Sequence, residues 1–274
     1  MVQICIAIII FIFIIIIDIV FRVIYIIFRA LFRALNPKRR RFNKKIPLTL
    51  NQYSTYYQNL NDKEQKRFRK RVYDFIALKK FYHTDKSKLT DEMKILIAAS
   101  AVQITFGYTF ACTFDVFRKI IISNKEYISP QTKQLHQGET NPRKSCIVFS
   151  WQHFMEGVKF PYDSINLGIH EFAHALFINN MVRGKHNQNF KEMMSDWHTE
   201  AEKVMQTPAA QKFFRSYAFV SKMEFFACAM EVFFENPKAF SEQFPELYAI
   251  MCMQLRQNPL LPNNGIAWKR NFEG

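Results

Sequence analysis

Two histidines four residues apart, His170 and His174, with Glu171 directly after the first, constrain this chain more than any other feature. Residues i and i+4 share one face of an α-helix, so two imidazoles at this spacing can converge on a single metal ion. The flanking sequence agrees with a helix. Leu167, Ile169, Phe172, Ala173, Leu176 and Phe177 are apolar, and Asp163, Ser164 and Asn166 are suitable N-caps. Glu171 is turned about 100° from His170, which sets its carboxylate beside the metal rather than on it. There it can take a proton from metal-bound water and pass it to a leaving amine. Zinc accepts this nitrogen and oxygen ligand set, and a catalytic zinc leaves its fourth position to water. The competing reading is a core helix with two satisfied histidines.

A metal of this kind needs a third protein ligand. The other histidines, His83, His136, His153, His186 and His198, form no second helical pair. Glu224 is the best candidate, because it opens the strongly apolar segment Met223–Ala227, where an inward carboxylate is costly unless paired or coordinated. Glu231 lies two helical turns further along the same face. It reads either as an acceptor for a ligand histidine or as a helix-surface glutamate. Glu235 reads as a solvated residue at the helix end. Tyr217, seven residues before Glu224, reads either as a core tyrosine or as a hydrogen-bond donor to a developing oxyanion. Other chemistries find little support. The five cysteines are scattered, with no CxxC, which excludes a disulfide framework and a thiolate zinc site. With seven glycines and no GxGxxG or P-loop pattern, a phosphate-cradling loop is not expected.

The N-terminus is of another kind. Ile4 to Ile17 is an unbroken apolar run, and Ile4–Phe21 makes 18 residues, about 27 Å as a helix and close to the thickness of a bilayer core. A secretory signal carries cations before its apolar run and small residues after it, and neither is found, so an uncleaved anchor is expected. The formal net charge is +15, but residues 1–45 carry nine cations and one acid. Over half of the excess thus forms a collar after the apolar run. That argues against a uniformly basic surface and against nucleic acid as a partner. By the positive-inside rule the collar places the rest of the chain in the cytoplasm. Lys38–Lys45 reads as a juxtamembrane linker attracted to anionic lipid.

Helical signals dominate beyond residue 46. Asn61 and Asp62 can cap a helix running to Lys80, and Thr90 can cap another. Val116–Ser123 and Tyr127–Thr132 read as strands joined by an Asn124-Lys125 turn, and 132–143 as a polar loop. Cys146–Phe149 reads as a short buried strand leading into Trp151, and Cys146–Ser150 also as an edge strand beside the site, placed to pair with an extended peptide. Further helices are expected at roughly 187–205, 220–235 and 243–256.

Several ordered segments carry a resemblance. Cys146–Trp151, Asn166–His174, Tyr217, Glu224–Phe234 with Pro237, and also Leu89–Ala99 and Pro245–Tyr248, resemble the Mlc titration factor A family of zinc peptidases, over roughly residues 45–260. That family's catalytic region is similar to anthrax lethal factor, a gluzincin. The resemblance implies Zn2+ held by His170, His174 and Glu224, with Glu171 as general base and Tyr217 as transition-state donor. It also implies aminopeptidase-like hydrolysis of peptides and, in enteric bacteria, binding of a glucose-responsive transcriptional repressor, although no residue here marks such a surface. Two departures stand out. Phe177 occupies a position where the family often has an acid, and the apolar N-terminal run is absent from soluble members.

The expected fold class is therefore α+β: a predominantly helical zincin-type metallopeptidase domain with a small mixed or antiparallel sheet, preceded by a transmembrane helix. Residues 1–36 form the transmembrane and juxtamembrane helix, 37–45 the basic linker, 46–260 the metallopeptidase domain and 261–274 a tail. The expected function is that of a membrane-anchored zinc metallopeptidase acting on peptide or protein substrates. It would sit single-pass in the bacterial inner membrane with its catalytic domain in the cytoplasm. The alternative is a non-catalytic zinc-containing protein that sequesters a regulatory partner at the membrane.

Overall fold

The computed structural model describes residues 18–21, 23, 37–85, 88–109, 112–183 and 188–266. Nearly all of the expected span Ile4–Phe21 lies outside the described residues. Among those described, no helix is long and apolar enough to cross a membrane. The chain divides into two units, Met1–Lys45 and Ile46–Gly274. Pro37 opens helix α1 (Pro37–Tyr53), so the basic run, expected as a linker, is helical. Proline suits a first helical position, where its missing N–H would be unbonded anyway, and the lysines and arginines that follow are good helix formers.

The second unit builds its helices from clear local signals. A short turn of helix, α2 (Thr55–Gln58), leads to α3 (Asp62–Leu78), which is capped by the Asn61 side chain accepting from Glu64 N. Strand β1 (Lys80–His83) follows, and then α4 (Asp91–Thr105), capped by Thr90. Helix α4 is apolar on nearly every side and buried accordingly. The loop after it is held from below. Lys79 Nζ donates to the carbonyls of Thr113, Phe114 and Phe117 at 2.5–2.8 Å, and Phe114 and Phe117 are fully buried.

Next come β2 (Lys119–Ser123), β3 (Tyr127–Ile128), β4 (Leu135–His136), β5 (Gly138–Asn141) and β6 (Cys146–Ser150). The main sheet has the order β1-β2-β6-β5, with the first three strands parallel and β5 antiparallel to β6. Three expectations change here. Strands β2 and β3 are not joined as a hairpin: β2 lies inside the main sheet, and β3 pairs with β4 in a separate ribbon. The polar stretch expected as a loop contains β4 and β5. Cys146–Ser150 is an interior strand, flanked by β2 and β5, because its unbroken apolar run suits burial on both faces. The edge falls to β5, whose sequence Gly-Glu-Thr-Asn has no apolar alternation and is fixed by pairing with β6.

The remaining elements are α5 (Trp151–Lys159), α6 (Leu167–Arg183), α7 (Gln188–Met205), α8 (Pro208–Phe213), α9 (Lys222–Glu235), α10 (Pro237–Gln243) and α11 (Pro245–Leu255). The described unit is thus mostly helical with a small mixed sheet. Phe172 locks α6 onto this scaffold. Fully buried, its ring lies 5.4–5.7 Å from those of Phe75, Phe114 and Phe149, on the side of α6 away from the two histidines.

Candidate metal centre

Helix α6 begins at Asn166, whose side-chain Oδ1 accepts from Ile169 N at 3.0 Å and whose carbonyl accepts from His170 N at 2.9 Å. Of the three N-cap candidates, Asn166 makes the capping bond. One turn later His170, Glu171 and His174 are each 5–6% exposed. Helix α9 approaches from the other side. Ser221 caps it by accepting from Glu224 N, which sets Glu224 in the first turn, facing the histidines. The three side chains meet: His170 Nε2 and His174 Nε2 are 3.0 Å apart, and Glu224 Oε2 is 3.1 and 3.3 Å from them.

This spacing suits a metal. A tetrahedral zinc ion with bonds of about 2.0 Å separates its donors by about 3.3 Å. The chemistry of the donors agrees. His170 Nδ1 lies 2.7 Å from Glu231 Oε1, and a metal that displaced the Nε2 proton would leave Nδ1–H donating to that carboxylate. Two ring nitrogens and a carboxylate oxygen aimed at one point can be held together by protons or by a metal ion. His170, His174 and Glu224 are thus one group of described residues able to hold a metal ion. Burial alone would raise the Glu224 carboxyl, but contacts with His170 and His174 hold it well below the usual range. Burial disfavours the His170 cation, yet Cys228, Glu224 and Glu231 outweigh it and hold its pKa well above the ordinary value.

Of the two readings of Glu231, the structure takes the buried acceptor. The residue is 0% exposed, with Oε1 on His170 Nδ1 and Oε2 accepting from Asn166 N at 2.7 Å. A carboxylate so buried needs a counter-charge. Arg215 supplies it, donating from Nη2 to Glu231 Oε1 at 2.6 Å and from Nε to Cys228 Sγ at 3.3 Å. Sequence reading missed Arg215, which lies outside any helix. Only the need of Glu231 for a partner could have pointed to it. Glu235 corrects an expectation: it is 7% exposed, and its Oε1 accepts from Asn166 Nδ2 at 2.8 Å. The start of α6, through Asn166, meets the last turn of α9 at this point.

Strand β5 lies against Glu171. Thr140 Oγ1 donates to Glu171 Oε2 at 2.7 Å and sits 3.0 Å from the Glu171 carbonyl. At Gly138, an added Cβ would come within 2.4 Å of Glu171 Oε1, so only glycine lets the carboxylate rest there. Burial raises the Glu171 carboxyl against the opposing pull of His174, His170 and Thr140. Tyr217, in the 3-10 turn Ser216–Val220, is half exposed at the rim, its ring 6.1 Å from that of His170. Burial and the Glu224 carboxylate raise its phenol. Phe177 sits edge-on to His198 and tilted against Phe226, both at 5.9 Å, so at this position α6 offers packing and no polar support.

Known proteins show the same relationship over most of the chain. The family model described as glucose-regulated metallo-peptidase M90 matches residues 29–256. An uncharacterized protein of Synechocystis sp. is 21% identical over 223 residues, covering 75% of this chain and 81% of its own. Mlc titration factor A of Pectobacterium atrosepticum is 24% identical, covering 78% and 86%. Mlc titration factor A of Edwardsiella ictaluri is also 24% identical, covering 78% and 88%.

Proposed function

Because the chain belongs to the glucose-regulated metallopeptidase family M90, we propose that it is a zinc peptidase with His170, His174 and Glu224 as metal ligands and Glu171 as general base. The observation that carries this reading is the mutual 3.0–3.3 Å spacing of the three donor atoms, with the Glu171 carboxylate fixed beside them by β5. Bound there, zinc supplies Lewis acidity that activates water near neutral pH and polarises a carbonyl. Glu171 takes the proton of the attacking water and delivers it to the leaving amine. Tyr217, at the rim, donates its phenol hydrogen bond to the developing oxyanion. Among the described residues, no strand pairs with the outer edge of β5, and an extended peptide adds there by main-chain hydrogen bonds. The expected substrates are peptides, cleaved in aminopeptidase fashion.

The test is zinc analysis with a peptide-library cleavage assay, run beside Glu171→Gln. Metal-dependent cleavage that disappears in the variant, with zinc retained, is the expected result. Unchanged turnover in a folded, zinc-loaded variant removes Glu171 from the role of base.

Relatives named Mlc titration factor A favour a second reading, in which the chain holds a transcriptional regulator. One bound zinc without hydrolysis of any peptide, plus a stable regulator in pulldown, is the outcome that selects it. For either reading we propose attachment to the bacterial inner membrane, with the catalytic domain in the cytoplasm. The support is the apolar run Ile4–Phe21 and the cationic collar behind it. Release of the full chain from membranes by an alkaline carbonate wash refutes the anchor.

A further inference from the structure

A cavity of about 490 Å³ opens between the C-terminal part of α6 and helix α7. That size falls in the range of about 300–1,000 Å³ usual for ligand pockets. Asn180 and Met181 line it from α6, and Met194, Ser195, His198 and Glu202 line it from α7.

Its place follows from helix geometry. At about 100° per residue, Met181 projects within about 20° of both His170 and His174. The cavity therefore lies on the metal-facing side of α6. Met181 stands seven residues past His174, about 10 Å along the helix axis. Phe177, one turn after His174, meets the ring of His198 edge-on at 5.9 Å, so packed side chains join the two places. An extended peptide advances about 3.3 Å per residue. A chain running along α6 from the metal centre thus brings its second or third residue to Met181.

The lining suits an uncharged guest. Met181 and Met194 supply unbranched, adaptable apolar walls, and Met181 is 70% exposed. Among the described residues, no lysine or arginine lines the cavity and Glu202 is its single acid. The Glu202 carboxylate is already paired with Lys222, at the start of α9. Burial first, and then Lys222, hold the His198 ring below the ordinary imidazole value against the pull of Glu202, so it is uncharged at neutral pH.

We propose that this cavity is a specificity subsite for an apolar side chain, of leucine or phenylalanine size, on a peptide bound at the metal centre. The inference rests on the peptidase reading and names a substrate feature for it. Cleavage in aminopeptidase fashion leaves one residue on the amino side, so the guest is the second or third residue on the leaving side.

The experiment is a calorimetric titration of the full-length, zinc-loaded chain with succinyl-hydroxamate peptides, whose head ligates zinc and whose residues follow on the leaving side. The parent carries three alanines, and Leu, Phe, Lys or Asp replaces the second or the third in turn. Leu or Phe at one of these positions should lower Kd at least about tenfold, as burial of such a side chain supports, while Lys and Asp should not. Ser195→Trp, which fills the cavity from an exposed wall position, should abolish that gain and leave the Kd of the parent unchanged. Met181→Gln, close in shape but polar, should cut the gain at least threefold. Equal affinity for all side chains overturns the proposal, and so does a preference for Lys or Asp. An apolar gain that survives in both variants puts the side chain elsewhere and overturns it as well. In these cases the parent still binds and the metal centre stands. A zinc-loaded chain that binds no hydroxamate refutes the peptidase centre itself, and the subsite falls with it.

Discussion

Replacing Gly138 with alanine tests whether the placement of Glu171, and not the metal alone, sets the rate. The new Cβ would lie 2.4 Å from Glu171 Oε1 and 2.8 Å from its Cδ and Cγ. Ordinary contact needs about 3.5 Å, so the carboxylate must retreat by about 1 Å. The 2.7 Å bond from Thr140 then stretches beyond useful range. A displacement of that size in a positioned catalytic group costs about a hundredfold, or about 2.7 kcal/mol of barrier. Stability should hardly change, because the obstacle is the end of a side chain and alanine in a strand is favoured over glycine by about 0.5–1 kcal/mol. The assay measures kcat on a peptide found by library screening, together with zinc content and thermal melting. A Gly138→Ala protein with intact zinc, an unchanged melting temperature and wild-type kcat would refute the reasoning. A loss explained by missing zinc would refute it equally.

Three further outcomes can be checked. Glu231→Gln weakens the hold on His170 Nδ1 and strands the Arg215 charge, so zinc affinity should fall about 10–100-fold in a chelator competition. Glu235 is pushed up to about 8, by burial first and then by Asp163 and Glu231, against hydrogen bonds from Asn166 and the Ser164 backbone. The folded chain therefore keeps a proton that the unfolded chain releases above 4.5, and stability falls as pH rises from 4.5 towards 8. At about 1.4 kcal/mol per pH unit this amounts to a few kcal/mol. Glu235→Gln should flatten that slope in urea melts at pH 5 and pH 8, and an unaltered slope would remove the assignment. Lys79→Met leaves three loop carbonyls without their ammonium donor and should cost about 3 kcal/mol in denaturant unfolding. A loss under 1 kcal/mol would mean that water replaces the lysine.

What could be read from sequence followed from periodicity and local chemistry. Helix α6 was legible because its apolar period, its Asn166 cap and its paired histidines agree. Glu224 was legible because a carboxylate in the first turn of an apolar helix needs a reason. Strand β5 was not, since Gly-Glu-Thr-Asn has no alternation and owes its form to a partner strand. The same cause moved the edge of the sheet away from Cys146–Ser150, whose apolar run marks an interior strand. Arg215 answers a buried charge that only the packed structure reveals. Glu235 stands at the end of α9, and only the packing of that end against Asn166 at the start of α6 shows it to be buried.

Asn166 joins α6 to α9 at two places one helical turn apart, through its backbone to Glu231 and its side chain to Glu235. A slip of one turn between the helices would carry Glu224 about 5.4 Å from the histidines, so this residue acts as a register pin for the centre. Its partners lie 65 and 69 positions away along the chain. Contacts that distant form only after long-range docking. A metal held by His170, His174 and Glu224 would therefore depend on the docking of α6 against α9, and whatever loosens that meeting would loosen the metal with it.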